Sequence, residues 1–377
     1  MTLFERATKA LELGQVNDAN DALTRIQQSD PEGSQEMRLH YLQGKLLSDM
    51  RDYDQAYRFY EMALDVATAS NDPDSQIVLI YLMGQLRYGA MRNREAQNLY
   101  EIAFELWSTR AKQLPHPPID PEVKIRLHSG RVLWLIGEFD DAHATLGRAL
   151  ILAQYDHRIY DVNALREQVA GALWTLALVH RSQSDMLDGD AGYLRTALRR
   201  ADKALGLFQR AATDQVNLAR FHVQIAELYL DLAEAHRSRG GISAMRYSLR
   251  KAEGFIRGAE DYLDPESDPW APLLAKLTGL RYDIMLLSPL ALAMKIAEIE
   301  ERLEVIERTA EELKDHIVTA KAATLRAEWL LSLGDTETAR TALLLALKGF
   351  TDDGMGQATR AQRLLRRITN EQDISRP

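Results

Sequence analysis

Cysteine is absent from this 377-residue chain. Its absence excludes disulfide bonds, thiol catalysis and zinc sites with cysteine ligands, and it is consistent with a reducing compartment. Long hydrophobic runs are also absent, because no stretch approaches the ~18 apolar residues of a membrane span. Residues 1–9 are charged and periodic, and no apolar core of a signal peptide follows them. We therefore expect a soluble, cytoplasmic protein with no membrane partner.

Positive charge is in deficit. The chain has 46 Lys and Arg against 55 Asp and Glu, which gives a formal net charge of −9. Duplex nucleic acid is bound mainly through cationic side chains on its phosphates, so we expect no direct binding of it. The apolar fraction of 46% is enough to bury a core, and most of the chain is expected to fold.

Motifs that carry catalysis or hold cofactors are missing as well. The sequence has no Gly-x-x-x-x-Gly-Lys-Ser/Thr, no strand-borne Gly-x-Gly-x-x-Gly and no His-Glu-x-x-His. Asp188 and Asp190 suggest a calcium loop, but the third acidic ligand and the glycine at the sixth place are lacking. His180 and His236 occupy matching places in two repeats, which favours packing over catalysis. We predict no catalytic residue, no cofactor, no metal site and no enzymatic activity.

Segments with the two-residue apolar period of strands are absent, whereas apolar residues recur at steps of three and four along the whole chain. This period predicts an all-α fold. Glycine and proline, which interrupt helices, are concentrated in a few places. These places are residues 30–33, 114–121, 187–192, 264–272 and 352–354. We interpret them as loops between helix pairs.

The helix pairs repeat. A small residue on a first helix is followed 12 residues later by a position on the second helix, and a further 7 residues later by another position on that second helix; most of these positions also hold small residues. Two antiparallel helices approach closely only where the facing side chains are small, so this spacing predicts the crossing points of the pairs. The spacing is found in Ala7/Ala19/Ile26, Gly44/Ala56/Ala63, Gly84/Ala96/Ala103, Gly130/Ala142/Ala149, Ala233/Met245/Ala252 and Ala327/Ala339/Ala346, and with eight extra residues in Ala177/Ala197/Ala204.

These residues resemble the tetratricopeptide repeat. The family pattern of small residue, Gly turn, aromatic, Ala, large residue and Ala-Leu is read in Gly130…Gly137-Glu-Phe139…Ala142…Leu146…Ala149-Leu150. The resemblance implies a right-handed superhelical solenoid, which we expect to contain about eight antiparallel helix pairs and a C-terminal capping helix. Most repeats exceed the usual ~34 residues. Long-helix variants of this kind resemble the sensor domains of bacterial peptide-responsive and MalT-like regulators.

We expect a solenoid over residues 1–355 and a capping helix with a tail over 356–377. Arg360, Arg363, Arg366 and Arg367 are expected to make this cap solvent-facing. The repeats are placed near 1–34, 35–74, 75–115, 120–160, 164–214, 216–264, 270–313 and 316–352.

The resemblance also implies a binding groove, because the first helices of tetratricopeptide pairs line a concave surface. Positions facing such a groove, counted from each small residue, are candidates for partner binding. They are Tyr41, Lys45, Tyr81, Gln85, Tyr88, Lys124, Arg131, Trp134, Trp174, Arg181 and Arg237.

The candidate groove is aromatic and cationic, so we expect another protein or a peptide of acidic or amphipathic character as the partner. Ring faces would supply contact area, and arginine would supply forked hydrogen bonds to carboxylates. Alternatively, the rings complete packing between repeats and the cations are solvated. The carboxylate clamp of chaperone-binding members has no counterpart, since the equivalent places hold Tyr41, Lys45, Lys124 and His128.

Two functions follow from this interpretation. The first is a non-catalytic interaction scaffold or adaptor that holds a partner segment in the groove. The alternative is a peptide-responsive regulatory sensor that acts on an effector in trans, since no DNA-binding helix-turn-helix precedes Phe4. The insertion at residues 185–193 is a surface excursion, or it reaches to a bound chain or a second copy. Self-association through Phe4 and Leu11 in the first repeat is left open.

Overall fold

The computed structural model describes residues 2–155, 162–211, 215–263, 268–350 and 354–374. Regular secondary structure within these ranges is helical, without a strand, which confirms the predicted all-α class. Part of the predicted loop 264–272, residues 264–267, and part of the loop 352–354, residues 352–353, lie outside the described residues. The chain divides into two compact units, residues 1–133 and 134–377.

The first unit contains three consecutive helix pairs, α1/α2, α3/α4 and α5/α6, and most of α7, which crosses the boundary. Within each pair, a tight turn reverses the chain. The bounds are α1 Leu3–Glu12, α2 Val16–Gln28, α3 Ser34–Asp49, α4 Tyr53–Ala69, α5 Pro73–Gly89, α6 Asn93–Ala111 and α7 Asp120–Ile136.

The second unit continues with helices α8 to α18. Their bounds are α8 Phe139–Tyr155, α9 Val162–Met186, α10 Ala191–Arg210, α11 Gln215–Ser238, α12 Ile242–Glu260, α13 Trp270–Leu286, α14 Pro289–Met294, α15 Ile296–Glu312, α16 His316–Leu333, α17 Thr336–Phe350 and α18 Met355–Ile374. The packed pairs are α9/α10, α11/α12, α13/α15 and α16/α17, and α7 and α8 stand in the place of a further pair along the chain. The described helices thus pack as adjacent pairs followed by a final helix, as the sequence predicts.

The turns within pairs place one residue in the left-handed conformation. Gly14, Gly240 and Gly334 have φ of 67°, 73° and 85°, the left-handed region that ends a helix. Arg51 occupies the same place between α3 and α4 with a φ of 62°. Among the described helices, none combines the length and the apolar character that a membrane crossing requires.

The small residues lie at the helix crossings. A Cβ placed on Gly84 would lie 2.6 Å from the ring of Tyr100, and one on Gly44 would lie 2.5 Å from the ring of Tyr60. Ala56 and Ala96, which face these glycines from the second helices, are fully buried. Each ring therefore occupies the space that the missing side chain leaves open, and the predicted spacing is confirmed as a packing rule.

We expect Gly84→Ala to destabilise the protein by about 1–3 kcal/mol, because the new methyl group must displace the buried Tyr100 ring. Gly147→Ala on α8 is the matched control, since a Cβ there meets nothing within 4 Å. It should stabilise by about 0.5–1 kcal/mol through helix propensity. Urea unfolding measures both changes, and equal effects of the two substitutions would contradict the packing rule.

Candidate binding surfaces

On the first unit, the predicted groove residues of α5 and α7 are brought together. The Tyr81 hydroxyl lies 3.0 Å from Nδ1 of His128, and Nε2 of Gln85 donates to the Tyr81 hydroxyl at 2.9 Å. Burial lowers the pKa of His128, which favours the neutral ring over the charged one. This polar cluster connects the first helices of two consecutive pairs and fixes the orientation of Tyr81.

The cations of the same surface are more accessible. Arg131 is exposed, and its guanidinium lies 5.2 Å from the centre of the Tyr88 ring. Lys124 is also exposed and forms an ion pair with Asp120 at 2.6 Å. The arrangement places a positively charged edge beside half-buried tyrosine rings.

The predicted groove residues of α3 are half-buried. Tyr41 stacks on the buried Tyr60 at a ring distance of 6.1 Å, and Lys45 lies one turn further along the helix. The Tyr41 ring therefore contributes to packing within the pair α3/α4. We define the first-unit surface as Tyr41, Lys45, Tyr81, Gln85, Tyr88, Lys124 and Arg131.

On the second unit, both predicted tryptophans are buried. Trp134 is 8% exposed, and its indole N–H donates to the hydroxyl of Ser182 at 3.0 Å. Trp174 packs edge-to-face against Phe221 with the ring centres 4.5 Å apart. Arg237 is exposed at the end of α11. The tryptophans thus serve the core of the second unit in this conformation, as the packing alternative describes.

Arg181 is neutralised by two carboxylates of α11. Its Nε donates to Asp231 and one terminal nitrogen donates to Glu227, both at 2.7 Å. Arg281 of α13 contacts the same two acids at 2.7 and 3.2 Å. Burial alone would raise the pKa of Glu227, but Arg281 and Arg181 lower it to about 2. These acids are therefore ionised acceptors held between two guanidinium groups.

The C-terminal helix α18 completes this arrangement. Arg360 donates to Asp231 at 2.5 Å and to Glu234 at 2.6 Å, and it also pairs with Glu328 of α16. Arg363 donates to Glu234 at 3.0 Å. We define the charged cluster as Arg181, Asp185, Glu227, Asp231, Glu234, Arg281, Glu328, Arg360 and Arg363.

The prediction of a solvent-facing cap is wrong for two of its four arginines. The side chains of Arg360 and Arg363 are only 12% and 10% exposed, because α18 packs against α9, α16 and α17. Arg366 and Arg367 are exposed, although Arg366 also donates to the backbone carbonyl of Asp185 at 3.1 Å. The helix therefore turns its basic face inward, onto the acids of α11 and α16.

Of the charged cluster, only Arg181 is among the partner-binding residues predicted from the sequence. A signal for the rest exists: Glu227, Asp231 and Glu234 are spaced by four and three, which aligns them on one helix face. Arg360 and Arg363 are spaced by three in the same way. The two faces are more than a hundred residues apart in the chain, and only the folded structure brings them together.

The clustered carboxylates do not form a metal site. Within the described ranges, no group of three or more His, Asp and Glu side chains is arranged to hold a metal ion. The lone pairs of Asp231 and Glu234 are directed to arginine N–H groups. The cluster is therefore suited to binding guanidinium groups.

We expect Arg281→Met to destabilise the protein by about 3–5 kcal/mol, because it leaves Glu227 and Asp231 with less neutralising charge in a buried place. Arg302→Met removes a pair of similar geometry, Arg302–Asp283, whose side chains are both more than 40% exposed. This control should cost less than about 1 kcal/mol. Urea unfolding compares the two, and a small loss for Arg281→Met would contradict the stabilising role of the cluster.

The cluster also predicts a pH dependence. Burial opposes ionisation of Glu234, but Arg360 and Arg363 lower its pKa from 4.5 to about 2. A lowered pKa in the folded state stabilises the protein above the unfolded value and is lost as pH falls through the folded value. Glu234→Gln should therefore be less stable than the unaltered protein at pH 6, and the difference should shrink between pH 4.5 and 2. Unfolding free energies measured at each pH, with Glu301→Gln on α15 as the exposed control, test this; a difference independent of pH would contradict it.

Comparison with known proteins points to one type of fold. No protein-family model and no curated protein sequence matches the chain. Among solved structures, it is similar to the apo form of the quorum sensor NprR from B. thuringiensis, with a TM-score of 0.64 and 12% identity over 93% of this chain and 86% of that one. It is also similar to the apo form of RapI, with a TM-score of 0.61 and 10% identity over 92% and 84% of the two chains. A third similar structure is aspartyl phosphate phosphatase F from Bacillus subtilis, with a TM-score of 0.60 and 13% identity over 93% of this chain and 94% of that one.

Identities of 10–13% establish the fold alone. The chain has a helical-repeat fold like that of the Rap and NprR proteins, and its helices pack as adjacent pairs. The tetratricopeptide resemblance is supported at this coarser level.

Proposed function

We propose that the protein is a non-catalytic, tetratricopeptide-like binding protein of the cytoplasm that holds a segment of another protein or a peptide on its first-unit surface. The observation that carries this proposal is the exposed Arg131, positioned over the Tyr88 ring beside the fixed Tyr81. Lys124 and Arg131 are seven residues apart on α7, and Tyr81 and Tyr88 are seven apart on α5, so each pair shares a helix face.

The chemistry of this surface favours an acidic or amphipathic segment. A guanidinium offers two parallel N–H groups to a carboxylate, and a tyrosine face reduces the conformational freedom that Arg131 loses on binding. The half-buried rings of Tyr81 and Tyr88 offer apolar area next to this charge. An amphipathic segment would place its carboxylates on α7 and its apolar side chains on α5.

Affinity capture from extracts of the source organism, followed by calorimetry with the purified partner, tests this assignment. Arg131→Glu should weaken binding at least about tenfold, because it replaces attraction by repulsion at the centre of the surface. Arg58→Glu on α4 makes the same charge change at an exposed second-helix position and should leave the affinity unaltered. Equal affinities for both variants would contradict the proposed site.

A second candidate is favoured by the fold comparison. One of the similar structures is named a quorum sensor, and it shares the fold over 93% of this chain. On this proposal a small peptide is the ligand, and its binding alters how the protein engages an effector in trans. Small-angle scattering distinguishes the two functions: a regulator should contract when peptide binds, whereas a scaffold should keep its radius of gyration.

A further inference from the structure

Helix α18 binds to other helices of the second unit through side-chain contacts with segments that are distant in the chain. The hydroxyl of Thr359 donates to Asp185 of α9 at 3.0 Å, and Arg360 and Arg363 reach Glu234 of α11. These partners are 126 to 174 residues away in the chain. Helix α18 packs on α17, which precedes it in the chain, and also on α9 and α16, which do not.

The helix has two distinct faces. Ala358, Ala361, Leu364 and Ile368 are spaced by three and four, and all four are buried in the core formed with α16 and α17. The other face carries the arginines of the charged cluster. An amphipathic helix that lays an apolar stripe into a groove and pairs its charges at the edge is a common form of peptide recognition.

The charge of the receiving surface is incomplete without α18. Asp185, Glu227, Asp231, Glu234 and Glu328 supply five carboxylates from α9, α11 and α16. The cations of the charged cluster that belong to α9 and α13 are Arg181 and Arg281. Arg360 and Arg363 raise the number of arginines from two to four, so a helix with two arginines removes most of the excess negative charge of this surface.

The beginning of α18 is held by a close backbone contact. A Cβ on Gly356 would lie 2.2 Å from the carbonyl oxygen of Trp134, and the Ser182 hydroxyl donates to the Gly356 carbonyl at 2.9 Å. Ser182 in turn accepts from the Trp134 indole. Trp134 of α7 and Ser182 of α9 thus contact the backbone of α18 at a position where a side chain would not fit.

We propose that α18 is a built-in ligand of the surface formed by α9, α11 and α16, and that this surface binds an arginine-bearing amphipathic helix of a partner when α18 leaves it. The recognised pattern is two arginines one turn apart, at positions 360 and 363, flanked by small or apolar residues at 358, 361 and 364. Occupancy by α18 and by the partner is mutually exclusive, so the partner must bind well enough to displace α18. This inference does not depend on the first-unit surface or its partner.

A fluorescent peptide of residues 354–374 serves as the probe and is titrated into the full chain by anisotropy. The variant Arg360→Glu/Arg363→Glu should bind it at least about tenfold more tightly than the unaltered protein, because repulsion from five carboxylates removes the internal helix. The variant Arg195→Glu/Arg199→Glu, with the same charge change at exposed positions of α10, should bind as weakly as the unaltered protein. The same peptide with glutamate at 360 and 363 should not bind. Absence of tighter binding by the folded Arg360→Glu/Arg363→Glu variant would overturn the proposal.

Hydrogen exchange on the unaltered chain gives a second measurement that does not rely on any variant folding. If α18 is a displaceable ligand, its amides exchange before those of α16 and α17, and excess peptide speeds their exchange further. If α18 is an inseparable part of the core, its amides exchange together with α16 and α17 and the peptide has no effect. The second result would overturn the proposal even if the charge-reversed variant failed to fold.

Discussion

Close approach of two helices is the constraint on which this structure depends. Helix backbones can come near each other only where a side chain is absent or reduced to a methyl group. In the pair α5/α6, Gly84 provides the gap and Tyr100 fills it from the facing helix. The pair α3/α4 has the same arrangement, with Gly44 and Tyr60 at the close approach. A repeated pair of this kind presents a first-helix face at regular intervals, and the residues of the proposed first-unit surface lie on such faces.

The second constraint is electrostatic. Asp231 is 3% exposed, and a carboxylate at that depth is tolerated only when cations neutralise it. Arginines from α9, α13 and α18 converge on it, so three separate segments are oriented by one buried acid. Burial and charge oppose each other here: burial raises the pKa of Glu227 and Glu234, and the neighbouring arginines lower it by more. This explains why the C-terminal helix lies against the body of the second unit.

The two units differ in what their first helices present. In the first unit, Arg131 and Lys124 are exposed at a surface with half-buried tyrosines. In the second unit, Arg181 is internal to an ion network and Trp134 and Trp174 are buried. This difference in charge is the basis of the two proposals, an acidic segment on the first-unit surface and an arginine-bearing helix on the second unit.

Much of the fold could be read from the sequence by itself, because helical periodicity, crossing residues and turn conformations are properties of neighbouring residues. The spacing of Gly44, Ala56 and Ala63, repeated along the chain, was sufficient to identify helix pairs. The side of the molecule that each charged residue faces was decided only by tertiary structure. Arg360 lies more than 120 residues from Asp231 and Glu234, and nothing in the local sequence distinguishes an arginine that faces water from one that meets a buried acid. That choice follows from the requirement that charges removed from water find opposite charges, which acts between distant segments only after they have packed.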